Sequence, residues 1–224
     1  MVLDAKAIRA RVVEELPTRL GERWFRPGSA KLLIASTDNL TDFSIELDCY
    51  ADRRYGDYDC ALVAMFKWKK FAKLDKDFFA WYEVKDPSST QFMTQSSRRS
   101  SKPFLRVGFD AIDGDFVRGR GPFWVANEGD LDAFIAQCAA DLDGKVGEWI
   151  RRWFTWASAL DVMDGNSQLC GSWRDTAYFC FLEQVHGQEA ACKWVSGIDA
   201  TGWPGLLAAR VEYLQLQVCG GVSV

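Results

Sequence analysis

Four carboxylates in the first 60 residues have the best spacing for chemistry in this chain. Glu46 and Asp48 alternate with apolar residues, and Asp57 and Asp59 follow after a polar turn. If the two pairs met across a hairpin, their oxygens could hold Mg²⁺ or Ca²⁺. Period-two alternation alone, however, places Glu46 and Asp48 on the solvent side of a half-buried strand. We therefore predict no bound metal, and a small carboxylate- or metal-dependent enzyme is the alternative.

Motifs for nucleophilic or phosphate chemistry are missing from the sequence. The single histidine, His186, precedes Gly187, an arrangement typical of a helix end. The segment Cys170-Gly171-Ser172-Trp173 is superficially similar to the one around a papain-type nucleophile. Its order and flanks differ, and Ser172 serves equally well as a helix N-cap. Without a nucleophile elbow, P-loop, dinucleotide fingerprint or zinc-protease motif, we predict no catalytic residue and no cofactor.

The chain has seven cysteines, and their spacing does not indicate a metal site. No two have C-x-x-C spacing, and the only histidine is six residues from the nearest cysteine. Structural zinc sites need thiolates and imidazoles at closer spacing. Because most of the cysteines lie within apolar patterns, we expect buried free thiols in a reducing compartment. They are Cys49, Cys60, Cys138, Cys170, Cys180, Cys192 and Cys219.

The net charge of −4 is distributed unevenly along the chain. Residues 61–110 contain ten basic and five acidic residues, whereas residues 111–224 contain eight basic and fifteen acidic ones. The overall acidity argues against general affinity for nucleic acid, which requires many cations that neutralise phosphates. Basic and aromatic residues alternate over 66–81, and the sequence leaves open whether that stretch is core or contact surface. The acidic second half predicts a basic protein as partner.

Acidic side chains are the predicted partner-binding residues. A preference for acids at helix starts explains three of them, but it does not explain Asp141 and Asp143 at the other end of the same helix. Exchanging these two for lysine should therefore slow association with the partner. An acidic strand face is the next candidate surface. The full predicted set is Glu128, Asp130, Asp132, Asp141, Asp143, Asp42, Glu46 and Asp48.

Periodicity predicts one helix and then a series of strands in the first 125 residues. The helix spans 4–20, and Pro17 is expected to shorten it. Residues 86–102 are polar and rich in Ser and Thr, which predicts a mobile loop. Alternation and apolar runs predict strands over 31–36, 42–50, 60–68, 78–84, 104–109 and 123–125.

Helical spacing dominates after residue 125. Apolar residues at i, i+3, i+4 and i+7 predict helices over 128–142, 146–160, 173–186, 188–196 and 205–218. This segregation predicts an α+β protein with an N-terminal helix, an antiparallel meander sheet and a C-terminal helical segment. We expect a helix plus sheet over 1–125 and a helical part over 126–224, packed as one structural unit. No apolar run is long enough to span a bilayer, so we predict a cytoplasmic protein without membrane contact.

The layout of residues 1–160 resembles that of bacterial immunity proteins from polymorphic-toxin and contact-dependent secretion systems. The similarity lies in the front helix, the strand meander closed by Phe123-Trp124-Val125, the acidic helix start at Asp130-Leu131, and the helix containing Glu148-Trp149-Ile150. It implies a cytoplasmic, non-catalytic protein that binds and occludes a cognate toxin. Since no specific motif is matched, it assigns no functional residue. An interaction subunit of a bacterial or phage assembly is a further alternative.

Overall fold

The computed structural model of the chain describes residues 3–20, 33–37, 41–52, 56–87, 105–108, 123–165 and 174–220. It combines helices with an antiparallel sheet, so the predicted α+β class is confirmed. The chain forms two compact units, one of Met1–Phe66 with Leu105–Arg152 and one of Lys67–Phe104 with Trp153–Val224. This grouping differs from the predicted division at residue 125, because the helices directly after that residue group with the sheet.

The described part of the first unit contains a five-stranded sheet. Strands β1 to β4 lie side by side in chain order. Strand β5 also pairs with β3, over Tyr58–Cys60, whereas β4 pairs with β3 over Val63–Phe66. Strands β4 and β5 therefore share one edge of β3. The described pairings of β1 with β2, β3 with β4 and β3 with β5 are antiparallel, as the prediction of a meander sheet requires. The strands are β1 (Leu33–Thr37), β2 (Thr41–Asp52), β3 (Asp57–Trp68), β4 (Leu105–Gly108) and β5 (Phe123–Val125).

One face of the sheet is buried, and the other is mostly half-buried, with exposed residues near its edges. Along β2, Phe43, Ile45, Leu47 and Cys49 are buried, while the residues between them are only half-buried. This alternation follows directly from the two-residue period of a strand. We call the side with the buried residues the inner face and the opposite side the outer face.

Three helices complete the described part of the first unit. They are α1 (Ala5–Leu20), α3 (Glu128–Asp143) and α4 (Lys145–Arg152), with α2 of the second unit between them in the chain. Their apolar sides are buried, as at Ile8 and Leu131, and aromatic contacts join helices to the inner face, as between Phe123 and Phe134. Pro17 does not shorten α1, because the apolar stripe continues to the buried Leu20 and its packing outweighs one lost backbone hydrogen bond.

The second unit begins with a helix where a strand was predicted. Residues 78–84 belong to α2 (Lys69–Lys85), so the predicted strand is wrong. The buried residues Phe71, Asp75, Phe78 and Tyr82 recur with helical spacing, and this period prevails over the strand preference of the aromatic residues. The aromatic side chains of the stretch 66–81 thus contribute to the core, whereas its lysines at 69, 73 and 76 are exposed.

Four more helices and a short π-helical turn make up the described remainder of the second unit. The helices are α5 (Trp156–Gly165), α6 (Arg174–His186), α7 (Gln188–Ser196) and α8 (Gly205–Tyr213), and the π-helical turn is Leu214–Val218. The predicted helix over 146–160 is divided into α4 and α5. The break is at Thr155, whose Oγ1 accepts a hydrogen bond from Ser158 N and so caps the new helix. Among the described helices, none is both long and apolar enough to cross a bilayer.

Two cysteines of the second unit depart from the expectation of free thiols. Cys192 of α7 and Cys219, after the π-helical turn, form a disulfide with their Cα atoms 5.5 Å apart. Spacing along the chain did not reveal this pair, because its members are 27 positions apart. Cys49, Cys60, Cys138 and Cys180 are buried free thiols, as predicted. Cys170 lies outside the described residues, as does nearly all of the predicted loop over 86–102.

Candidate functional site

The predicted catalytic and metal candidates do not form a reactive cluster in the described part of the chain. No group of three or more His, Cys, Asp or Glu side chains there could hold a metal ion. The carboxylates Glu46, Asp48, Asp57 and Asp59 therefore do not form the site that the hairpin hypothesis required. His186 ends α6 in an exposed position, and Gly187 follows with a φ of 87°, as predicted for a helix end. Ser172 lies outside the described residues.

Two of the predicted partner-binding acids on α3 form ion pairs with α1. Arg11 of α1 contacts Glu128 and Asp132 at the start of α3, with nitrogen–oxygen distances of 2.5 and 2.6 Å. It also pairs with Glu15 on its own helix. Hydrogen bonds to Asp132 and Glu15 raise the pKa of the Arg11 guanidinium above its ordinary value. Since one cation already neutralises much of this acidic helix start, less of its charge is left to attract a partner.

The other acids of α3 have local roles as well. Asn127 and Asp130 form a capping box, in which each side chain bonds to the backbone of the other residue. Asp141 accepts a hydrogen bond from Gln137 Nε2 at 2.8 Å. Asp143 is exposed near the end of the helix and has contacts of its own. The structure thus brings these acids onto one helix but also supplies intramolecular partners for them.

The acidic strand face is located as predicted, on the outer face of the sheet. Glu46 and Asp48 are half-buried residues of β2, and Asp48 forms an ion pair with Arg106 of β4. Asp42 belongs to β2 by its backbone, and its side chain lies outside the described part of the chain. The outer face therefore carries both charge signs.

Two exposed aromatic residues flank a carboxylate on this outer face. Asp59 of β3 is directly opposite Trp124 of β5 in the strand register. On the other edge of β3, the sulfur atoms of Cys49 and Cys60 are 3.5 Å apart, so these residues are cross-strand neighbours on the inner face. The next residue along β2 is Tyr50, and the preceding residue along β3 is Asp59. Because the strands are antiparallel and side chains alternate between faces, Tyr50 and Asp59 are neighbours on the outer face. We call Tyr50, Asp59 and Trp124 the outer row.

The geometry of the outer row suits a positively charged group. Two strand spacings separate Tyr50 from Trp124, roughly 9.5 Å, with the Asp59 carboxylate between them. Tyr50 is 63% exposed, and Trp124 is 48% exposed although it has contacts of its own. Asp59 Oδ1 is buried and has no hydrogen-bond partner among the described residues, which is costly for a carboxylate oxygen. Aromatic faces and a carboxylate both attract guanidinium and ammonium groups.

Tyr50 and Trp124 were not among the predicted partner-binding residues, although the sequence contains the signal for both. Tyr50 follows Cys49 in the alternation of β2, and Trp124 lies between Phe123 and the buried Val125 in β5. The two-residue period places each of them on the outer face. The pairing of β5 with β3, which brings Trp124 next to Asp59, has no signal in the local sequence.

Comparisons with known proteins do not add a family to this description. No protein-family model matches the chain, and neither a curated protein nor a solved structure matches it. The candidate site consequently rests on the residues and geometry described above.

Proposed function

We propose that the chain is a non-catalytic protein-binding module that occludes a basic partner protein. The observation that carries this proposal is the outer row, in which Tyr50 and Trp124 flank the Asp59 carboxylate. Tyrosine and tryptophan are the residue types that most often dominate the energy of protein interfaces. The row combines them with a carboxylate, and aromatic faces beside a carboxylate favour an Arg or Lys side chain.

The partner class follows from charge and from the immunity-protein resemblance of the sequence. The chain is acidic overall, and Asp57 lies two residues from the row's own Asp59 on the same face of β3. Complementary charge accelerates association and suppresses binding to other acidic proteins. The resemblance implies that the partner is a toxin domain, whose basic active site the row and its surroundings would cover.

A cytoplasmic location belongs to the same proposal. Cytosolic reductants keep most protein thiols reduced. The location therefore implies that Cys192 and Cys219 are thiols while the protein is inside the cell and that their disulfide forms on exposure to an oxidant. Alkylation of thiols in intact cells before lysis, followed by mass mapping, measures the state of this pair.

The experiment first inspects the genes next to the one for this chain, and the product of a neighbouring toxin-domain gene is the test partner. The two proteins are co-expressed, growth is measured, and their affinity is determined by calorimetry for the parent and for Trp124→Ala and Tyr50→Ala. Each substitution should weaken binding by about 2 kcal/mol, roughly 30-fold, because truncation removes an aromatic anchor from the interface. Asp59→Asn should slow association most strongly at low salt.

Trp203→Ala is the matched control, since Trp203 is an exposed tryptophan of the second unit. Its affinity should equal that of the parent. The pair Asp141→Lys and Asp143→Lys tests the alternative surface on α3. The contact surface is on α3 if the row variants bind and protect growth as the parent does, while the α3 variant neither binds nor protects. If the parent neither binds nor protects, the proposed function is wrong.

A further inference from the structure

Cys49 and Cys60 are a pair of buried thiols whose geometry already approaches that of a disulfide. Cys60 Sγ donates a hydrogen bond to Cys49 Sγ across 3.5 Å. The two residues are neighbours on the antiparallel strands β2 and β3, where Cα atoms are typically about 4.5 to 5.5 Å apart. Disulfides span Cα separations of about 4.4 to 6.8 Å. Closure therefore needs rotation of two side chains and little movement of the backbone.

The two thiols are chemically unequal. The hydrogen bond from Cys60 lowers the pKa of Cys49, to which Arg9 also contributes, and the same bond raises the pKa of Cys60. Cys49 is 5% exposed, whereas Cys60 is fully buried. The thiolate is the reactive form of cysteine. Cys49 thus combines the lower pKa with the better access, and Cys60 lies in position to resolve an intermediate formed on it.

We infer that Cys49 and Cys60 form a redox-active dithiol site, which a low-molecular-weight disulfide such as glutathione disulfide converts into a cross-strand disulfide. The Cys49 thiolate attacks one sulfur of glutathione disulfide, and one glutathione leaves as thiolate and takes up a proton. Cys60 then loses its proton and attacks Cys49 Sγ, which releases the second glutathione. Two protein thiols and one glutathione disulfide yield one protein disulfide and two glutathione thiols.

The chain contains matched controls for this chemistry. Cys138 of α3 and Cys180 of α6 are also buried free thiols, and burial raises the pKa of both. Among the described contacts neither donates to nor accepts from another thiol, and Cys180 is the more independent control because Cys138 itself contributes to raising the pKa of Cys60. If general opening of the protein exposed thiols to the oxidant, Cys138 and Cys180 would react together with the pair.

The experiment requires only the purified chain, so its result does not depend on the proposed function. The protein is incubated with glutathione disulfide, quenched in acid, alkylated and mapped by mass spectrometry without reduction. We expect a linked peptide containing Cys49 and Cys60, with a loss of about two mass units, to form at least tenfold faster than any adduct of Cys138 or Cys180. Cys60→Ala should instead accumulate a glutathione adduct on Cys49, and Cys49→Ala should form neither product.

Two results would overturn the inference. One is a parent protein in which Cys138 or Cys180 reacts as fast as the pair. The other is a parent protein in which no link between Cys49 and Cys60 appears before the protein unfolds. Both are read on the parent chain, so they decide the question even if a cysteine variant does not fold.

Discussion

Asp75 of α2 and Arg210 of α8 form a buried ion pair in the second unit. Arg210 Nη1 lies 3.0 Å from Asp75 Oδ1, and both side chains are almost fully buried. The guanidinium also lies over the ring of Phe78, 4.4 Å from its centroid. Burial raises the pKa of Asp75 and lowers the pKa of Arg210, so desolvation outweighs mutual attraction for both groups. Each charge is therefore tolerated only while its partner is present.

Removal of one member of this pair should destabilise the protein strongly. We expect Asp75→Ala to lower the free energy of unfolding by about 3 to 5 kcal/mol, because it removes the carboxylate that pairs with the buried Arg210 charge. The double variant Asp75→Leu with Arg210→Met should recover most of that loss, since it removes both charges and fills the space with apolar atoms. Urea unfolding followed by circular dichroism measures both.

An exposed pair on the same helices serves as the control. Lys85 of α2 pairs with Glu212 of α8 near the surface. Lys85→Met should cost at most about 1 kcal/mol, because solvent screens exposed ion pairs. If Asp75→Ala cost no more than Lys85→Met, the buried pair would contribute nothing beyond a surface pair.

At the scale of elements, the start of α3 illustrates how a helix end is stabilised locally. Asn127 Oδ1 accepts a hydrogen bond from Asp130 N at 3.1 Å, and Asp130 Oδ2 accepts one from Asn127 N at 3.2 Å. These bonds satisfy backbone donors that the first turn of a helix leaves without partners. The acids at this end of α3 thus have a structural reason that is independent of any partner.

Loss of the cap should destabilise the protein in proportion to the lost hydrogen bonds. We expect Asn127→Ala to lower the free energy of unfolding by about 1 kcal/mol, because Ala cannot accept the bond from Asp130 N. Asn127→Ser retains an acceptor at the N-cap and should cost only a small part of this amount. Chemical denaturation of the three proteins measures the difference. Equal losses for Ala and Ser would show that the cap hydrogen bond contributes little.

At the scale of the whole molecule, each of the two units contains a cysteine pair in a different state. Cys192 and Cys219 of the second unit are bonded, whereas Cys49 and Cys60 of the first unit share a hydrogen bond between thiols. Polar contacts support the segment that the disulfide closes, as where Gln215 Nε2 donates to Val195 O at 2.9 Å. The second unit thus combines a covalent link with noncovalent contacts at the same place.

Reduction of the Cys192–Cys219 disulfide should lower stability measurably. The bond closes a loop of 27 residues, and a chain-entropy argument assigns such a loop about 3 to 4 kcal/mol. We expect a reductant to lower the free energy of unfolding of the parent by that amount. The Cys192→Ser variant should have the same lower free energy of unfolding without reductant, and adding reductant should not change it. A parent protein that is equally stable with and without reductant would contradict this expectation.

The sequence alone determined those elements whose burial follows a local period. Leu131, Phe134, Ile135 and Cys138 mark one face of α3, and the alternation from Phe43 to Cys49 marks both faces of β2. Each pattern lies within one element, and a single buried side is enough to produce it. For the same reason the α+β class and the outward position of the acidic strand side chains could be predicted.

Only the tertiary structure decided which distant residues meet. Arg11 contacts acids 117 and 121 positions away, and Cys192 bonds to a cysteine 27 positions away. Residues 78–84 were predicted as a strand because their aromatic content favours one. In the structure, Phe71 and Asp75 earlier in the same segment are buried with helical spacing, so the whole segment is a helix. Periodicity records which side of an element is buried, but chain topology determines what buries it. That is why the pairing of β5 with β3, and with it the candidate site at Asp59 and Trp124, could not be predicted from the sequence.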